Sequence, residues 1–154
     1  MRLVLFGFAL AAISPAIARS VEYRWTSGPG MGGTITAAIV NAAGSAFRIY
    51  CATGGDPPRG GFEYETKRAA LQENERVQIV VGKKSFVLIS GPNMGARDSR
   101  IELSKLVGEM IKTRAKFFLV EVPRTKFAEQ FSLRDAATHL KNEIDVSSIY
   151  EPCL

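Results

Sequence analysis

The sequence carries a single histidine, two cysteines and one tryptophan in 154 residues. These scarcities limit the chemistry. Any Ser–His–acid triad would have to be built around His139, and no G-x-S-x-G segment presents a serine to it. Two cysteines and one histidine do not form a four-ligand zinc set at a recognisable spacing. Cys51 and Cys153 are far apart in the chain, which argues against a C-x-x-C redox pair. After the first twenty residues no apolar run approaches the roughly 20 residues needed to cross a bilayer. The chain has no internal repeat, no low-complexity tail and no aromatic–basic motif of the kind that reads nucleic acid.

The opening stretch, "MRLVLFGFALAAISPAIARS", has a different character. Arg2 supplies a positive charge, Leu3 to Ile13 form an uncharged apolar run, and Ala16-Ile17-Ala18 offers small residues at the positions a signal peptidase reads. The pattern is that of a secretory signal peptide over residues 1–18. Cleavage after Ala18 leaves residues 19–154, one domain's worth of chain, with no transmembrane span. The expected location is periplasmic or secreted.

Export places the cysteines in an oxidising compartment, where two of them tend to pair. A Cys51–Cys153 bridge would close a loop of about 100 residues, worth about 4–5 kcal/mol in the chain-entropy model. It would hold the tail segment "SSIYEPCL" against a strand. Two free thiols or an intermolecular bridge are the alternatives.

Short segments with a two-residue period dominate the first two-thirds of the mature chain. "TITAAIV" puts Ile35, Ala37 and Ile39 on one face, and "AFRIYC" does the same with Phe47, Ile49 and Cys51. "NAAG" between them is a turn in which Gly44 can take positive φ. "FEYET" sets Phe62 and Tyr64 against Glu63 and Glu65. "RVQIVVGKKSFVLIS" is a hairpin turning at Gly82-Lys83. The period then changes. "ARDSRIELSKLVGEMIKTR" aligns Leu103, Leu106, Val107, Met110 and Ile111 on one helical face, with "SRIE" at Ser99–Glu102 as a capping box. "KFFLVEVP" and "TKFAEQF" are strands. "SLRDAATHLKNEI" repeats Leu133, Ala136, Ala137, Leu140 and Ile144 at helical spacing behind a Ser132 cap. Strands arranged as hairpins before the helices predict an α+β fold: an antiparallel sheet or sandwich of about eight strands with two amphipathic helices in the C-terminal half.

Charge is uneven. The chain has a net charge of +5, and the cationic excess gathers between residues 83 and 126. Lys83, Lys84, Arg97, Arg100, Lys105, Lys112, Arg114, Arg124 and Lys126 make a candidate binding surface for an anionic envelope component or another protein. A solvated helix and its neighbours would show the same composition.

Four motifs imitate known chemistry. "GPGMGG" matches G-x-G-x-x-G at Gly28, Gly30 and Gly33, but a β-branched, alternating segment follows where a dinucleotide site needs a helix, so the stretch reads as a flexible turn between strands. "GKKS" at Gly82–Ser85 lacks the upstream P-loop glycine and fits a hairpin turn better. His139 lies four residues after Asp135, a spacing that suits a local helix contact. Glu63 and Glu65 are two carboxylates on one strand face, explained by solvated alternation. No catalytic residue, cofactor or metal site follows from these. Trp25 reads as a large core or edge anchor.

The signal peptide, the early Trp25, the strand ending in Cys51, the late "FSLRDAATHL" and the terminal cysteine together resemble the invasion-associated locus B-like group of small exported proteobacterial proteins. The late segment spans Phe131–Leu140, with Asp135 near where that group has a glycine, and the group's central cysteine pair is absent. The resemblance implies a non-enzymatic, β-rich envelope protein linked to host association, and carries over no catalytic residue.

Three functions compete. The first is a non-catalytic exported binding module. The second is an inhibitor of a secreted lysozyme or protease, presenting the rigid loop "TGGDPPRGG" at Thr53–Gly61. The third is a carboxylate-based enzyme.

Overall fold

A computed structural model describes residues 23–29, 33–52, 59–89 and 97–141. The proposed signal peptide, the tail with Cys153, and residues 53–58 of the candidate inhibitory loop lie outside the described residues. The element order is β1 (Thr26–Pro29), β2 (Thr34–Val40), β3 (Ala46–Ala52), β4 (Arg59–Glu65), β5 (Arg76–Val81), β6 (Lys84–Ile89), α1 (Arg97–Lys112), β7 (Phe117–Val122), β8 (Phe127–Ser132) and α2 (Ala136–Leu140). A single 3₁₀ turn, Pro123–Thr125, joins β7 to β8. The eight strands form two antiparallel four-stranded sheets, ordered β1-β2-β3-β4 and β6-β5-β7-β8. This is the α+β sandwich that the two-residue periods predict, with both helices in the C-terminal half.

The inward faces are those the alternation selects. Ala37 and Ile39 of β2, Phe47, Ile49 and Cys51 of β3, and Phe62 and Tyr64 of β4 are buried. They meet Val77, Ile79 and Val81 of β5, Phe86 and Leu88 of β6, Phe118, Val120 and Val122 of β7, and Phe131 of β8. Phe47 is the hub: its ring lies edge-on to Phe118 at 5.1 Å and contacts Phe62 at 5.7 Å and Phe131 at 6.2 Å. Phe118 and Phe131 stack at 5.3 Å. Such pairs add about 0.5–1.5 kcal/mol each beyond the area they bury. Trp25 completes the cluster, fully buried, with its indole N–H donating to the Ser132 carbonyl at 2.9 Å. It is the core anchor expected of a lone tryptophan.

Turns fall where the backbone needs them. Gly44 and Gly82 have φ of +78° and +60°, which only glycine adopts without strain. Asn41 Oδ1 accepts from the Ala43 and Ser45 amides and fixes the β2–β3 turn. The buried face of α1 is Leu103, Leu106, Val107 and Met110, with Ile111 half-buried against the core.

Three expectations need correction. α1 begins at Arg97, so Ser99 is its third residue and not its cap. α2 begins only at Ala136. Ser132 ends β8 and accepts the Arg134 amide through its hydroxyl at 3.0 Å. Asp135, at φ +64°, occupies the cap position without a side-chain cap bond, so a left-handed turn separates Leu133 from the helix. Finally, Gly28 of "GPGMGG" belongs to a strand, since Gly28 and Pro29 pair with Thr36 and Ile35.

Candidate functional site

The strand registers decide where the cations go. Val81 of β5 pairs with Phe118 of β7, and Gln78 pairs with Glu121. The β5–β6 turn with Lys83 therefore shares one end of the second sheet with Phe117. The 3₁₀ turn with Arg124, and Lys126 after it, stands at the other end, roughly 20 Å away by strand rise. The candidate surface drawn from sequence is thus two separate regions plus the exposed side of α1.

Several of those cations are committed to ion pairs. Lys84 reaches Glu109 of α1 at 2.5 Å and ties β6 to the helix. Lys105 pairs with Glu102 one turn back at 2.7 Å. Arg124 is structural: its guanidinium donates to both oxygens of Glu75, with Nη2–Oε2 at 2.7 Å, and to the Ala70 carbonyl. Glu75 is buried, and the Arg124 hydrogen bonds, helped by the Gln72 amide, hold its carboxyl below the usual range. Arg100 lies half-buried on α1, and the Arg97 side chain is outside the described residues. Lys126 borders a second cavity of about 280 Å³ whose wall also contains Glu121.

Lys83, Lys112, Arg114 and Lys116 differ. They are exposed, and among the described residues none has a carboxylate partner. Three of them come from residues 110–116, which end α1, lead into β7 and hold no acidic side chain. Lys83, by the β5–β7 register, and Lys116, by chain, stand at the same end of the second sheet as Phe117, which is 50% exposed because β7 must place one of its two adjacent phenylalanines outward when Phe118 enters the core. Leu119, also outward, continues the apolar strip and pairs with Val80 of β5. Beside Phe117 is a cavity of about 380 Å³ lined by Ala115, Lys116, Phe117, Ser132, Leu133 and Arg134. The Leu133 amide donates to the Lys116 carbonyl at 2.8 Å and fixes its floor. Lys116 and Arg134 are the rim residues that the candidate surface drawn from sequence omits.

Two other polar groupings lie apart from this cavity. Ser27 Oγ lies 2.9 Å from His139 Nδ1, across 112 residues of sequence. The expected local contact of His139 with Asp135 is confined to the backbone, where the His139 amide donates to the Asp135 carbonyl at 3.3 Å, while the Asp135 carboxylate faces Arg24 at 3.5 Å. The serine–histidine pair has no carboxylate orienting the ring among the described residues, so it lacks the third member of a triad. It ties α2 to the edge strand β1.

Inside the sandwich, Glu129 of β8 is buried. It accepts from Tyr64 Oη at 2.6 Å and Ser45 Oγ at 2.9 Å, with Arg68 Nη1 at 3.9 Å. Burial and the bond to Glu129 push the Tyr64 hydroxyl well above the ordinary tyrosine range. The network joins the two sheets through charge-assisted bonds. On the outer face of the first sheet, Arg48 bridges Glu63 at 3.7 Å and Glu65 at 2.9 Å, so these two carboxylates share a cation.

No group of three or more potential metal ligands occurs among the described residues. No helix among them is long and apolar enough to cross a membrane. Cys51 is fully buried on β3, facing the core as its alternation requires. Compared with protein-family models, with curated proteins and with solved structures, the chain matches none.

Proposed function

We propose that this chain is an exported, non-catalytic binding module that acts at the cell envelope or on a host surface, braced by a Cys51–Cys153 bridge and engaging an anionic envelope component or another protein. One observation carries the reading. Among the described residues, Lys83, Lys112, Arg114 and Lys116 are exposed without carboxylate partners, and Lys83 and Lys116 stand at the end of the second sheet that carries the exposed Phe117. A surface of unneutralised charge on a cross-braced body attracts anions at long range and loses that attraction in salt. The resemblance to the invasion-associated locus B-like group points the same way.

Co-sedimentation of the mature protein with vesicles of phosphatidylglycerol, against vesicles of phosphatidylcholine, tests it. The expected result is retention on the anionic vesicles at 50 mM salt, reduced more than tenfold at 500 mM and by joint charge reversal of Lys83, Lys112, Arg114 and Lys116. Retention that ignores both salt and charge reversal, or no retention at all, overturns the reading.

A further inference from the structure

We propose that the cavity beside Phe117 binds a single alkyl chain carrying a terminal anionic group, with Lys116 at the anion and Phe117, Leu133 and Ala115 along the chain. The inference rests on the binding-module reading and assigns that module a ligand class.

The cavity's volume, about 380 Å³, falls within the roughly 300–1,000 Å³ of small-molecule sites. Its wall divides chemically. Ala115, Phe117 and Leu133 offer carbon, while Lys116, exposed and cationic, lines the same cavity. The backbone beneath is already paired, through the Leu133 amide to the Lys116 carbonyl, the Arg134 amide to Ser132 Oγ, and the Trp25 indole to the Ser132 carbonyl. The floor therefore makes few hydrogen-bonding demands, and an apolar chain can lie on it without stranding a buried donor. Lys116 has no acidic partner among the described residues, so a ligand anion would not have to displace one. Lys112, Arg114 and Lys83 add long-range attraction for the same sign of charge. Phe117 costs free energy in water and gains by covering a chain, at about 25 cal/mol per Å² of apolar surface removed from solvent. A purely anionic ligand would leave that ring exposed, and a purely apolar one would leave Lys116 unused.

The lone Trp25 makes the test direct, because its indole bonds the carbonyl of a cavity-lining residue. Decyl phosphate below its micelle concentration is titrated into the mature protein while Trp25 emission is followed. Inorganic phosphate and decyltrimethylammonium are run as separate arms. The expected result is a saturable emission change with decyl phosphate and none with either control. Lys116→Glu and Phe117→Ser each weaken the response at least tenfold, with unchanged circular dichroism. Leu133→Met, which keeps the volume, retains binding should Phe117→Ser disturb the fold. An equal response to decyltrimethylammonium, competition by inorganic phosphate at similar concentration, no response, or indifference to both cavity variants overturns the cavity assignment. Salt-sensitive retention on anionic vesicles that survives such a failure shows that the surface charges bind anions while the cavity does not.

Discussion

The Tyr64–Glu129 bond offers a clean perturbation of the sandwich. Tyr64→Phe deletes one hydroxyl and leaves the ring, including its 6.2 Å edge contact with Phe131. What is lost is a 2.6 Å hydrogen bond to a carboxylate whose side chain is 1% exposed. A hydrogen bond to a charged group contributes about 1.5–3 kcal/mol net. Ser45 continues to donate, and Arg68 remains at 3.9 Å, so Glu129 keeps part of its compensation. We expect a loss of about 2 kcal/mol, which is about 7 °C in Tm for a domain of this size. Urea unfolding of the wild type, Tyr64→Phe, Glu129→Gln and the double variant measures both the loss and the coupling, expected at about 1–2 kcal/mol.

The same variant has a signature in pH. Tyr64 is raised in the folded state by burial first and by the Glu129 bond second. An acid whose folded pKa is raised contributes stability that is full below its unfolded value, about 10, and falls as pH rises beyond it. Tyr64→Phe should remove that part of the alkaline slope. A cost under about 0.5 kcal/mol together with an unchanged alkaline slope would refute the claim that this network joins the sheets.

Glu75 predicts the opposite slope. Its folded pKa is depressed by Arg124, so its stability is present above the ordinary carboxylate value and is lost as pH falls through that range. Arg124→Ala should lower the urea midpoint at pH 7 and flatten the acid limb; a midpoint unchanged at pH 7 counts against the pair. Gly61→Ala tests the outer face of the first sheet, where an added Cβ runs into the Tyr50 ring. A cost of about 1–3 kcal/mol is expected, recovered largely in the Tyr50→Ala background by thermal unfolding; equal costs in both backgrounds contradict the steric argument.

The strands were legible because each is buried on one face only. A half-buried strand must alternate, and "TITAAIV", "AFRIYC" and "RVQIVV" do so over the spans the structure gives. β1 left no such trace. All four of its residues are exposed, and pairing with β2 alone defines it. The start of α2 was hidden for a local reason: helical spacing runs back through Leu133, but Asp135 in the left-handed region breaks the helix there. Glu129 carried a readable signal, since it shares a strand face with Phe127 and Phe131 and the latter is buried. The cations were countable but not placeable. Whether Lys83 lies with Lys116 or with Arg124 depends on the pairing of β5 with β7, and no local pattern encodes a register between strands separated by a helix. Ser27 and His139 meet for the same kind of reason, through the docking of α2 against the sheet edge.

An exported module braced through Cys51 must lose its leader and hold both thiols in a bridge. The intact mass of the exported protein, taken after alkylation with and without prior reduction, tests both at once. The expected result is a chain starting at Arg19 in which neither thiol alkylates until reductant is added. A mass that retains Met1 to Ala18, or two thiols that label at once, would contradict it.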